Sequence, residues 1–195
     1  VYGQLEERLE QDRRQSLEKG SILGTSGSSG WSDGTGFFYS IFDRIAQRWV
    51  NPVLVSSRRS DNTQPIIHQI LLLGRDGSVV NPRTARALRQ GTWRLLVETN
   101  DNEAQNTPLM LGPKDISCFV NGIEEQSLRL DYLSINDGMI MIPGNPMRRA
   151  NDVYSNNGLY DLGEIRLNRG RTTMQINVRD AVGNERQVVY TIRVE

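Results

Sequence analysis

Cysteine and histidine are nearly absent from this chain: each occurs once in 195 residues. Cys118 therefore has no partner for an intramolecular disulfide. Its setting, Ile116-Ser117-Cys118-Phe119-Val120, is that of a buried thiol packing as a small hydrophobe, with no basic neighbour to activate it. One unpaired cysteine leaves the redox compartment open. His68 stands alone in an apolar run, where an imidazole is a structural or surface residue rather than a metal ligand. Excess charge of either sign is missing too. Lys plus Arg number 23 and Asp plus Glu number 23, which gives no electrostatic case for nucleic acid or an anionic membrane. Long apolar runs are also lacking. The longest, Ile66 to Leu73, is interrupted by His68 and Gln69 and falls far short of a membrane span. No phosphate-binding loop, dinucleotide fingerprint, Cys-x-x-Cys pair or serine elbow occurs.

What is present is an ordinary balance of 37% hydrophobic and 24% charged residues. That supports a real core, in one large domain or two small ones. The chain begins at Val1 without a signal peptide, which reads as a processed form or a fragment. We divide it into a first segment, residues 1–55, a polar linker, 56–64, and a second segment, 65–195. The first opens with a polar stretch, Glu6 to Lys19. Leu5, Leu9 and Leu17 there fit a short amphipathic helix. Turn-forming Gly and Ser follow from Gly24 to Gly36, then an aromatic run, Phe37 to Phe42, that predicts a strand. Ser56 to Gln64 carry no apolar side chain.

The second segment predicts an all-β, immunoglobulin-like sandwich. Strands are expected at 66–73, 92–98, 116–120, 127–133, 139–142, 163–167, 172–178 and 187–194. Met174, Ile176 and Val178 alternate with polar residues, as do Val188, Tyr190, Ile192 and Val194, the period of a half-buried strand. Asp76-Gly77, Asn121-Gly122, Asp137-Gly138, Asn157-Gly158 and Gly183-Asn184 are turn dipeptides between them. The closing pair of strands around Asp180-Ala181-Val182-Gly183-Asn184-Glu185 resembles the last hairpin of bacterial immunoglobulin-like and fibronectin-like modules. Pro143 to Asp161 predicts an insertion or mobile loop. Asp101-Asn102-Glu103 and Asp180 to Glu185 suggest calcium only weakly; turn chemistry explains them better. Arg83, Arg86 and Arg89 lie at threefold spacing and read as the solvated face of a helical turn.

Four blocks of the first segment follow a specific order: Val1-Tyr2-Gly3-Gln4-Leu5, Lys19 to Gly30, Gly36 to Asp43, and Trp49-Val50-Asn51-Pro52. Together they resemble the C-terminal half of LytM-type (lysostaphin-like) zinc peptidases, which cut peptide crosslinks in bacterial cell walls. Asp61-Asn62-Thr63-Gln64-Pro65-Ile66 is similar to the opening of a β-domain that follows in some spirochaete and Bacteroidetes envelope members. The family's motifs are Tyr-x-His-Leu at the first block and His-x-His at the third. Here Gln4 stands at the first. At the third stand either Phe37 and Tyr39 or Phe38 and Ser40. An amide cannot act as a base, and none of these residues is an ordinary zinc ligand.

The resemblance therefore implies a mainly β protein: a degenerate LytM-like partial sheet followed by the sandwich. It implies no zinc or other cofactor and no peptidase activity. The expected role is non-catalytic binding of an envelope protein or peptidoglycan in the periplasm or cell envelope of a diderm bacterium. Phe37, Phe38, Tyr39, Phe42 and Trp31 are the candidate partner-binding residues, with core packing as their alternative use. A second role is a structural subunit of an assembly, in which an oligomer or second chain completes the truncated sheet. An active zinc endopeptidase is a third and would need ligands other than histidine.

Overall fold

A computed structural model describes residues 2–8, 18–28, 34–55, 61–102, 110–154 and 158–195. The protein is mainly β. The first segment supplies β1 (Tyr2–Gly3), β2 (Leu5–Arg8), β3 (Gly24–Ser26), β4 (Phe38–Tyr39), β5 (Ile41–Asp43) and β6 (Arg48–Val50). The second supplies β7 (Ile66–Gly74), β8 (Val79–Val80), β9 (Gly91–Asn102), β10 (Met110–Leu111), β11 (Asp115–Val120) and β12 (Ile123–Arg129). It continues with β13 (Tyr132–Asn136), β14 (Met139–Ile142), β15 (Gly144–Asn145), β16 (Arg148–Arg149), β17 (Leu159–Leu167), β18 (Gly170–Arg179) and β19 (Glu185–Val194).

Two sheets make the sandwich. In one, β9 pairs with β7 on one side and β17 on the other; in the second the order is β15-β12-β11-β18-β19. Lettered along the chain, β7-β9-β17 are A-B-E and β12-β11-β18-β19 are C′-C-F-G, the pairing order of an immunoglobulin-like sandwich, with the short β15 added at the C′ edge. The alternation seen in the sequence sets the core. Met174, Ile176 and Val178 of β18 and Ile192 and Val194 of β19 face inward, against Ile70, Leu72, Leu95 and Val97 of the other sheet. Cys118 sits fully buried among them. Hairpins β11–β12 and β13–β14 turn on Asn121-Gly122 and Asp137-Gly138, whose φ angles of 52° and 83°, and 49° and 75°, are those of a type I′ turn.

The last hairpin is organised by Asp180, which is completely buried. Its Oδ1 accepts the backbone N–H of Val182, Gly183 and Asn184 at 2.9, 2.6 and 2.8 Å, and its Oδ2 accepts Asn184 Nδ2 at 2.7 Å. Asn184 Nδ2 also donates to the carbonyl of Asp61 at 3.2 Å. The end of the polar stretch is thus tied to the C-terminal hairpin; residues 56–60 lie outside the described residues.

The third sheet runs β16-β14-β13-β6-β5 and joins the two segments. Its β13–β14 hairpin lies between β12 and β17 in the chain, and β6 pairs with β13 in the register Tyr132↔Val50, Leu133↔Trp49 and Ser134↔Arg48. Among the described residues, no large apolar side chain of residues 1–55 belongs to the buried core. The first segment is held by backbone pairing and by partly buried contacts on its neighbour.

Several expectations are corrected. Leu5–Arg8 is a strand, not helix, because it pairs with Gly24–Ser26; residues 9–17 lie outside the described residues. The aromatic run is two strands, parted at Ser40, since β4 pairs with β1 while β5 pairs with β6. The strand expected over 127–133 breaks at Leu130 and Asp131. Leu130 N–H turns to the carbonyl of Lys114, and the Asp131 carbonyl accepts Asn51 N–H. Pro143 to Asp161 is not simply loop: it holds β15, β16, one helical turn over Ala150–Val153 and the start of β17. Residues 81–90, with Arg83, Arg86 and Arg89 exposed, form turns, in which Thr84 and Ala85 N–H both donate to the Asn81 carbonyl.

The sandwich and this inserted region meet at Asp161, which is only 2% exposed. A bulge between Asp161 and Gly163 breaks the β17–β9 register there, and Gly163 takes φ 107°. The carboxylate accepts from Arg94 of β9, from Arg148 of β16 at 3.0 Å, and from Gly163 N–H at 2.8 Å. Asp161→Asn leaves two guanidiniums facing a neutral amide. It should cost about 2–3 kcal/mol in urea unfolding, at the low end for a buried pair because Arg94 is half exposed. Arg75→Ala, which breaks the exposed pair with Glu164, should cost less than about 1 kcal/mol in the same measurement.

Candidate functional site

An apolar hollow lies where the two segments meet, an open groove of about 520 Å³. One wall comes from the first segment: Phe38, Tyr39 and Ser40, then Trp49 and Val50, then Asn51, Pro52 and Val53. The other comes from Leu111, Gly112 and Pro113, from Leu130, Tyr132, Leu133 and Ile140, and from Tyr154 and Tyr160. Phe38, Tyr39, Trp49, Tyr132, Tyr154 and Tyr160 make it rich in aromatic rings, and among the described residues no carboxylate, lysine, arginine or histidine lines it.

Asn51 fixes the join. Its Nδ2 donates to the Leu130 carbonyl at 3.0 Å, its Oδ1 accepts Val53 N–H at 3.1 Å, and its own N–H bonds the Asp131 carbonyl at 2.8 Å. Pro52 then opens a single 3₁₀ turn, which puts Val53 on the rim. The rings are braced from behind. Phe42 packs on Trp49 with centroids 4.9 Å apart, Tyr2 stacks on Tyr39 at 6.2 Å, and Tyr154 tilts against Tyr160 at 5.8 Å. The Arg48 guanidinium lies 4.4 Å above the Tyr132 ring. Burial, then the neighbouring Tyr154, pushes the Tyr160 phenol up to about 12, and burial raises that of Tyr154. Both stay neutral donors at ordinary pH.

The expected binding residues divide. Phe38 and Tyr39 line the groove. Phe42 is a supporting residue behind Trp49, and Phe37, 61% exposed, points elsewhere. Trp31 lies outside the described residues. Trp49, Tyr132, Tyr154 and Tyr160 were not legible as site residues; Tyr132 and Tyr154 come from the inserted region and Tyr160 from β17 of the sandwich, all more than 80 positions away from the aromatic run. Gln4 and the third block do come together: Gly3 is in register with Phe38, and Gln4, at φ 61°, accepts Gly27 N–H at 2.9 Å through its carbonyl. His68 is exposed, 2.7 Å from Asn100 Oδ1, away from this site.

One acidic group forms that the sequence separates. Oxygens of Asp61, Asp101 and Asp180 lie within 4.8 Å of one another, the last two buried. Asp180, however, already has its oxygens committed to its own turn.

A model of a family of uncharacterised function matches residues 64–195, and the chain belongs to that family. No curated protein and no solved structure matches the chain.

Burial pushes the Cys118 thiol up to about 12, with a smaller push from Glu125. Above its ordinary value of 9.0 the unfolded chain loses that proton while the folded chain keeps it. Stability should therefore fall with rising pH between about 9 and 12, with Tyr160 adding in the same direction from 10 upward. Urea midpoints across that range check this. A thiol reagent at pH 8 should leave the folded protein unlabelled and label it once in denaturant.

Proposed function

We propose that this family member is a non-catalytic binding protein of the bacterial envelope, with its aromatic groove as the receptor for an apolar segment of a protein partner. The observation that carries this reading is the groove itself. Six aromatic rings, three exposed and three half-buried, line one open groove at a join between two parts of the chain, on a wall fixed by Asn51. Rings held by packing behind them lose little freedom on binding, and aromatic side chains in such hollows make good anchors. Among the described residues the lining offers isolated hydroxyls and backbone groups and no charge, which suits an apolar peptide better than an ionic substrate.

The peptidase ancestry rests on the resemblance and is supported by local geometry. The Gln4 block and the Phe37–Ser40 block are neighbours across the β1–β4 pair, as two blocks of one former site should be. An amide and aromatic side chains there supply no base and no ordinary metal ligand. On this reading the scaffold was kept and its chemistry lost, and the envelope setting follows from the same ancestry.

A second reading, a structural subunit of an assembly, is favoured by exposed apolar side chains in the first segment: Tyr2, Ile22, Phe37 and Ile45, the last 98% exposed. A stable oligomer seen by light scattering, broken by Ile45→Asp and Phe37→Asp, would support it.

The groove reading is tested with a partner captured from envelope extract, purified and titrated against the chain. Tyr39→Ala together with Tyr154→Ala should weaken that complex by about tenfold or more, roughly 1.4 kcal/mol or above. Purified peptidoglycan should release no soluble fragments on incubation with the protein. Unchanged affinity in the double variant would remove the groove from the reading. Stoichiometric zinc with wall digestion would replace the reading by an active peptidase.

A further inference from the structure

The fold gathers positive charge that the sequence spreads out. Arg171 of β18 and Arg193 of β19 are direct cross-strand partners. With Arg86 and Arg169 they ring an open hollow of about 800 Å³, floored by Gly170, Thr191 and Val194. Like charges placed opposite each other on a sheet destabilise it by a few tenths of a kcal/mol or more. Among the described residues one carboxylate answers them: Glu195 Oε1 lies 3.0 Å from Arg193 Nε. Among the described residues, Arg86, Arg169 and Arg171 have no ion pair. The other two arginines of the 83–89 turn go elsewhere, Arg89 to Asp76 at 3.6 Å and Arg83 to the surface beside Tyr190. The balance of charge over the whole chain therefore conceals a local surplus.

We propose that this arginine-ringed hollow binds a run of aspartate or glutamate side chains on a protein partner. Guanidinium forks match carboxylates in two-point contacts, and several forks around one hollow suit several acids in succession. A Cβ built on Gly170 would meet no atom within 4 Å, so an extended peptide can approach the backbone there, beside the Thr191 hydroxyl. Among the described residues the lining holds no aromatic ring on which nucleic-acid bases would stack and no exposed apolar wedge for a membrane. The surface shares no residue with the aromatic groove and does not depend on that reading.

The test uses the whole chain and fluorescence anisotropy of labelled octaglutamate at low salt. Binding should be measurable, weaken as salt rises, and drop about tenfold or more in the Arg171→Glu, Arg193→Glu double variant. Arg75→Glu, a surface charge outside the hollow, should leave it unchanged. Arg171→Gln guards against misfolding: it relieves the cross-strand repulsion, so its melting temperature should equal or exceed the parent's while octaglutamate binding still weakens. The proposal is overturned if octaglutamate does not bind, if binding is equal in the double variant, or if a thymidine oligonucleotide or phosphatidylglycerol vesicles bind more tightly through the same arginines.

Discussion

The buried carboxylate of Asp161 ties together parts that are otherwise separate. One bulge turns it inward, where it meets Arg94 from the sandwich and Arg148 from the inserted region. A lone carboxylate at that depth would be expensive to keep ionised, and two unpaired guanidiniums would repel each other; the three together are satisfied. Arg148 sits on β16, beside β14, beside β13, beside β6, so this contact anchors the sheet on which the aromatic wall is mounted. Tyr160, one residue before Asp161, faces the groove. The bulge thus fixes the core connection and the position of one groove ring at once.

Around that anchor the molecule is built unequally. The sandwich has a continuous core whose inward residues come from both sheets. The first segment contributes backbone pairing, a few ring contacts and the Asn51 bridge. Such a segment draws its order from the surface beneath it, and apolar side chains remain open on it. A surface of that kind is suited to recognition, where burial is completed by a partner, more than to chemistry that needs enclosed and desolvated groups.

Much of the sandwich was legible because its signals are local. Alternation in β18 and β19 marks which side chains go inward, and Asn-Gly and Asp-Gly specify turns that only a narrow range of dihedrals can form. Of the six groove rings, two lie among the residues singled out in the sequence. Phe38 and Tyr39 stand out as aromatics in a turn-rich stretch, but nothing near them in sequence announces Tyr132, Tyr154 or Tyr160. The helix expected from Leu5, Leu9 and Leu17 failed at its start because a spacing of four fixes no structure when the residues between have a strand to pair with. The break at Leu130 was invisible for a similar reason: backbone groups of Lys114 and Asn51, remote in the chain, decide it. Charge was misleading in the other direction. Arg171 and Arg193 become neighbours only through the β18–β19 register, which no count of charges contains.

The bond from Asn51 Nδ2 to the Leu130 carbonyl spans 79 positions, and the β6–β13 ladder lies alongside it. That separation has a consequence for birth on the ribosome. At 5–20 residues per second, the hairpin carrying Trp49 emerges about 4–16 s before the strand it must join. Through that interval the strand edge that β13 later covers is without its partner, and the Asn51 amide is without the Leu130 carbonyl.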